Sequence, residues 1–207
     1  MADETRTSRK TGRPPVGAAV LQEDVTAAIK DAVFDELART GYGRLSIEAV
    51  AKRAGVGKTA VYRRWPDKQA MVVAVLSEVA IAAIDVPDTR SLRSDVRAYL
   101  VNAGAALEHP LASKIIPDLL AETARNSDLG IALMTSVRDP RREKAALLLR
   151  RAVERGELPA GHDLELNLDF LAGPLYWRLT VLRSPRDDSY FDRLTDKIVA
   201  AMTEAGS

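Results

Sequence analysis

The stretch AGVGKTAVYRRWPDK, residues 54–68, decides how the rest of the chain is read. Its GVGKT looks like the phosphate-cradling loop of a nucleotide-binding enzyme, but the spacing excludes this. That loop places a glycine five residues before the glycine of its Gly-Lys-Ser/Thr, and here that position is Lys52. It also needs a buried strand running in, whereas SIEAVAKRA (46–54) carries its apolar side chains at helical spacing. A helix-turn-helix fits instead. Ala51, Gly55 and Val61 stand where that motif needs a small residue at a steep helix crossing, a turn glycine with positive φ and a β-branched core residue. With Val61 turned inward, Lys58, Thr59, Tyr62 and Arg63 emerge on the solvent side of a helix expected over about residues 58–65. A short helix presenting those four side chains suits the major groove of duplex DNA.

The flanking residues extend the pattern in both directions. Val25, Ile29, Ala32, Val33 and Leu37 share one side of a first helix expected over about residues 22–39, which TGYG ends with Gly41 at a left-handed cap. A second helix starts at Ser46, whose hydroxyl can cap the next turn, while Leu45 and Val50 can form a hydrophobic staple. Charge is segregated along the chain. Residues 1–68 hold 13 Lys/Arg against 9 Asp/Glu, and the remainder holds 17 against 20. Residues 41–68 carry seven basic side chains (Arg44, Lys52, Arg53, Lys58, Arg63, Arg64, Lys68) against two acidic ones (Glu48, Asp67), the footprint of a phosphate-binding face.

Composition removes other classes. A chain of 207 residues, 46% hydrophobic and 29% charged, can bury a sizeable core in one or two domains. No apolar run approaches the roughly 18 residues of a membrane span, and MADETRTSRKTGRPP lacks the apolar region of a secretory signal, so a cytoplasmic location with no membrane partner is expected. Zero cysteines exclude thiolate metal sites, and His109 and His162 are read as solvated loop or helix-end residues. No cofactor, metal or catalytic residue is expected.

Residues 21–76 resemble the TetR-type (tetracycline-repressor-type) bacterial transcriptional regulators. The resemblance rests on AIKDAVFDELARTGYGRLSIEAVAKRAGVGKTAVYRRWPDKQAMV: a helix ending in Gly-Tyr, a Ser, Val-Ala, Ala-Gly-Val, a Val-Tyr pair, Trp65, and Lys68 opening a fourth helix. Val50-Ala51 replaces the family's Ile-Ala, and Arg63-Arg64 is more basic than usual, which leaves the operator sequence open. The resemblance implies base-edge contacts from Lys58 and Arg63, with Thr59 touching a base or a thymine methyl. It implies phosphate contacts from Tyr62, Arg64, Lys68 and Ser46, and a core role for Trp65; packing is the alternative for Tyr62. Ahead of these, Arg9, Lys10 and Arg13 lie in an arm whose GRP resembles a minor-groove hook, a solubilising tail being the alternative.

The expected fold is all-α with about nine helices: a disordered basic arm over residues 1–20, a three-helix helix-turn-helix domain over 21–66, and a larger effector-binding and dimerisation domain over 67–207. A long fourth helix capped by Asp67 leads into helices near 91–109, 112–126, 128–155, 163–183 and 188–204, with Pro117, Pro140 and Pro174 marking kinks or breaks. The helix from Asp163 carries two apolar stripes: Leu164, Leu168, Leu171, Leu175, Leu179 and Leu182 on one side, Leu166, Phe170, Gly173, Trp177 and Val181 on another. One stripe serves the chain's own core and the other a second copy. Leu168, Leu171 and Leu175, with Leu194 and Ile198 on the last helix, are assigned to that partner. Tyr99, Met134, Tyr176 and Trp177 are the expected pocket lining. The expectation is a homodimeric regulator bound to a double-stranded operator and released by a small-molecule effector, a repressor by resemblance. A ligand-independent or activating regulator is the alternative, and a small helical enzyme using Glu122, Asp163 or Glu165 the reading from a different class.

Overall fold

The computed structural model describes residues 16–82 and 86–204, with side-chain surroundings from Gln22 onward; the described residues form helices and no strand. Helix α1 (Val16–Arg44) buries Ile29, Ala32, Val33, Glu36 and Leu37 on one face, spaced as a 3.6-residue repeat requires. It begins before Gln22, so residues 16–20, expected in a disordered arm, are helical. At Gly41 the helix kinks with φ 74° and ψ 168°. The expected left-handed cap is therefore a different conformation, one that glycine alone adopts readily. Buried Glu36 accepts from Arg39 (2.6 Å) and from Arg53 (3.2 Å) at the end of α2 (Ile47–Arg53), joining the first two helices. The Arg39 guanidinium, with Arg53 beside it, holds the Glu36 carboxyl below its usual range despite burial.

Helix α2 starts as expected: the Ser46 hydroxyl accepts from the Ala49 amide at 3.2 Å, and Leu45 and Val50 are both buried. Gly55 supplies φ +68° in the turn, where an added Cβ would meet nothing within 4 Å, so the backbone and not space demands glycine there. Helix α3 (Lys58–Tyr62) is shorter than the expected 58–65. Pro66 disfavours helical backbone at Trp65, and the chain leaves the helix through a turn at Arg63 and Arg64.

Helix α4 (Lys68–Ala82) is capped by Asp67, which accepts from the Ala70 amide at 2.8 Å. Then follow α5 (Leu92–Glu108), α6 (Ala112–Thr123), α7 (Ser127–Leu133), α8 (Asp139–Glu154), α9 (Leu164–Tyr176) and α10 (Asp188–Thr203). Side chains of Asn126, Asp163 and Asp187 cap α7, α9 and α10. The break expected at Pro140 is a π-helical turn, Met134–Arg138, that joins α7 to α8 without interruption. Proline has no N–H to give the preceding turn, and the extra residue moves the hydrogen-bond register past it. A second π-helical turn, Trp177–Val181, extends α9 beyond Pro174, while Pro117 sits inside a continuous α6.

Two apolar cores result. The first gathers Ile29, Val33, Leu37, Val50 and Val61 from the front helices with Met71, Val72 and Val75 of α4, and also Ile115 and Leu119 of α6 and Leu129 of α7. The second lies among α5, α8, α9 and α10 around Leu100, Leu148, Leu149, Leu171 and Phe191. The front core thus crosses the domain boundary expected at residue 66.

Candidate nucleic-acid interface

Val61 has no exposed surface and is held in the front core, which turns the opposite side of α3 outward. Lys58, Thr59, Tyr62 and Arg63 are all exposed on that side, Tyr62 at 53%, which argues against a packing role for its ring. The Ser46 hydroxyl uses a lone pair to cap α2, so its proton remains available to a phosphate oxygen. Ser46, Lys58, Tyr62 and Lys68 border one concavity of about 400 Å³ between the starts of α2 and α4 and the outer face of α3. Glu48 stands in the same concavity, its carboxylate 2.9 Å from the Lys58 ammonium. Lys58 holds that carboxyl below its usual range.

Two residues expected as phosphate contacts also have partners within the chain. The Arg64 guanidinium donates to Thr26 Oγ1 (2.8 Å), the Gln22 carbonyl (3.1 Å) and the Ala60 carbonyl (2.8 Å), bracing the end of α3 against α1. Lys68 donates to the Tyr42 carbonyl at 3.0 Å and lies 4.3 Å from the Tyr42 ring centroid, tying the start of α4 to the end of α1. Both directions are set by residues distant in the chain, so residue type alone points them at phosphate. Trp65 is half-buried against the front core, as expected. Arg9, Lys10 and Arg13 lie outside the described residues. We expect Arg63→Ala to cost roughly 1 to 3 kcal/mol per half-site and to relax preference at one or two base pairs, and Lys68→Ala to lower thermal stability with no change in preference. Parallel binding and melting measurements check this, and equal loss of preference in both variants contradicts it.

The expected partner face is corrected. Leu168, Leu171, Leu175 and Ile198 are 5%, 1%, 1% and 2% exposed in this chain alone, sealed in the rear core, and Leu194 is half-buried against it. The outward stripe is the other one: Leu166, Trp177 and Val181 are 50%, 57% and 48% exposed, with Leu182 beside them and open space over Gly173. Both stripes are apolar, and periodicity cannot rank them. The stripe is not outward along its whole length, because Phe170 is half-buried against the rear core.

The expected pocket does not assemble either. Tyr99 is buried in the rear core, where desolvation raises its hydroxyl pKa, while Met134 is 49% exposed on the π-helical turn and Trp177 faces outward. Tyr176 is half-buried. A second concavity, of about 420 Å³, opens between α4 and the α7–α8 junction against Gln69, Val73, Ser77, Ala132 and Ser136, and none of the four residues lines it. The carboxylates considered for catalysis have structural roles: Asp163 caps α9, Glu122 pairs with Arg125 and Glu165 with Arg142. Among the described residues no three His, Asp or Glu side chains converge as a metal site, and no helix is long and apolar enough to cross a membrane.

The family model for bacterial regulatory proteins of the tetR family matches residues 29–75, and that for the tetracyclin repressor-like C-terminal domain matches residues 86–198. The chain belongs to the TetR family. Its TetR relatives include the DNA-binding transcriptional repressor TetR of Mycobacteroides abscessus, 32% identical over 186 residues that cover 89% of this chain and 97% of that protein. The HTH-type transcriptional regulator YdeS of Bacillus subtilis is 29% identical over 181 residues, 87% of this chain and 88% of that one. Among solved structures, the TetR family transcription regulator SCO0332 superposes with a TM-score of 0.69 at 29% identity, covering 86% of this chain and 97% of that one. FadR of Bacillus subtilis, solved with stearoyl-CoA, shares the fold, with a TM-score of 0.67 at 18% identity over 88% of this chain and 100% of that one. The protein is a TetR-family transcriptional regulator with a helix-turn-helix DNA-binding domain.

Proposed function

We propose that this regulator is a homodimeric repressor that binds a two-fold symmetric operator and leaves it when a small molecule occupies the rear domain. The observation that carries this reading is the way α4 is tied at both ends. At its start Lys68 grips the end of α1. At its far end Arg141 and Lys144 of α8 donate to the Ala80 carbonyl (3.1 Å) and the Ile81 carbonyl (2.8 Å), where cations complement the helix dipole. A displacement of α8 is therefore delivered to the reading head. The two heads must enter major grooves on one face of the duplex about 34 to 36 Å apart, or a multiple of that distance, so a change in their separation changes affinity. An effector drives the change only through unequal affinity for the two spacings; about 2.7 kcal/mol of such difference weakens operator binding roughly hundredfold. The named repressor relative supports the sign of regulation, and FadR supports a rear domain of this fold taking a small molecule.

Selecting genomic DNA fragments on the full chain is expected to recover sites with inverted half-sites. The chain holds no cysteine, so Arg44→Cys admits one spin label per subunit. Pulsed distance measurements are then expected to narrow on the recovered operator and to shift with any molecule from a panel, acyl-CoAs included, that releases the DNA. Release with an unchanged distance distribution rules out the spacing mechanism.

A further inference from the structure

Glu48 has no part in the reading above, yet it is a carboxylate inside the surface that must meet a polyanion. The head has two acids between residues 41 and 68, and Asp67 is occupied in capping α4. Glu48 is 72% exposed at its side chain and pairs across the helix-turn-helix with Lys58, itself 54% exposed, at 2.9 Å. Bare Coulomb stabilisation gives no reason for such a pair, since exposed ion pairs contribute little. Nor does affinity for phosphate, which an acid at this place reduces.

The geometry points to a different use: we propose that Glu48 and Lys58 together read a single G·C base pair, the carboxylate accepting from the cytosine amino group. The proposal rests on α3 entering the major groove. In that groove guanine offers N7 and O6 side by side as acceptors, and the cytosine N4 amino group, hydrogen-bonded to O6, lies roughly 2.9 Å beyond it as a donor. Donor and acceptor on the protein are separated by the same 2.9 Å. Lys58 over N7 and O6 leaves Glu48 over N4, so every group of the pair and of the base pair's edge is satisfied. An A·T pair offers Lys58 one acceptor, adenine N7, in place of two, and follows its N6 donor with the thymine O4 acceptor and methyl group, neither of which suits a carboxylate. Against phosphate the carboxylate is repelled and keeps Lys58 from acting as a general anion contact. Glu48 is therefore a specificity residue through what it refuses as well as what it binds.

The test is selection from a random-sequence duplex pool by the full chain, followed by affinity measurements on single-pair variants, for the wild type, Glu48→Ala and Glu48→Gln. At one G·C pair per half-site, change to A·T is expected to cost the wild type roughly tenfold to hundredfold, and Glu48→Ala less than about threefold. On random duplex both variants are expected to bind more tightly than the wild type. Their salt slope is expected to be steeper by about 0.9, because a released Lys58 neutralises one further phosphate. Variants that keep every base preference of the wild type, or lose affinity equally for all sequences, overturn the proposal. A wild type that selects no sequence overturns the α3 reading itself and this proposal with it, and is distinguished by arising before any variant is made. Glu48 is on the surface, so circular dichroism of both variants is expected to match the wild type.

Discussion

Trp177→Asp is expected to yield a monomer whose operator affinity is lower by more than about a hundredfold, the loss that follows when two linked half-site contacts become one. In the proposed homodimer the outward stripe of α9 is expected to meet its own copy across a two-fold axis, so a single substitution introduces two charges into one apolar contact. Like charges so placed cost several kcal/mol, added to the lost burial of an indole that is 57% exposed in one chain. Leu171→Asp provides the contrast. That side chain is 1% exposed, and a carboxylate there destabilises the chain itself by roughly 4 kcal/mol or more, so unfolding precedes any clean dissociation. Sedimentation of folded Trp177→Asp beside the wild type separates the two. A wild type that is monomeric at micromolar concentration, or a variant that remains dimeric, removes the α9 face from the interface.

The second large effect belongs to Gly41→Ala, and the cost has two sources. At φ 74° and ψ 168° the backbone lies where a Cβ is strained, about 1 to 3 kcal/mol. The new methyl also falls 2.4 Å from Asp118 Oδ1 and 2.9 Å from its Cγ, so the carboxylate must move. That carboxylate accepts from the Tyr42 amide at 2.8 Å, a charge-assisted bond worth roughly 1.5 to 3 kcal/mol. A total of roughly 3 to 5 kcal/mol is expected, which lowers the melting temperature by about 10 °C in a chain of this size. Adding Asp118→Ala removes the collision but not the strain, so the double variant is expected to be more stable than the sum of the single losses implies. Simple additivity shows that Asp118 yields freely; a loss under about 1 kcal/mol for Gly41→Ala contradicts the kinked conformation.

The front helices were legible because their signals are local. A hydroxyl three residues before an amide caps α2, a positive φ asks for Gly55, and an inward Val61 leaves Lys58, Thr59, Tyr62 and Arg63 outside. Where a side chain's partners are distant in the chain, the same reasoning does not reach them. Arg64 reaches Thr26 and Gln22, and Lys68 reaches Tyr42, across gaps in sequence that no periodicity reports. On α9 the two stripes are equally apolar, and the choice between them is made by α5 and α8, which seal Leu171 and Leu175 into the rear core. The pairing of Glu48 is hidden for a related reason: an acid in a basic cluster reads as dilution until its carboxylate is seen beside Lys58.

The front core bears on how regulators of this build can be recombined. Ile115, Leu119 and Leu129 complete the packing under α1, and Asp118 holds the amide that follows its kink. A hybrid that joins residues 1–66 to another regulator's rear half brings a reading head with its floor missing, unless the donor's α6 and α7 offer the same shapes and a carboxylate at the same place. Transplanting the outer residues of α3 alone leaves that floor untouched. The unit that can be exchanged for new sequence preference is thus one surface, smaller than the domain that carries it.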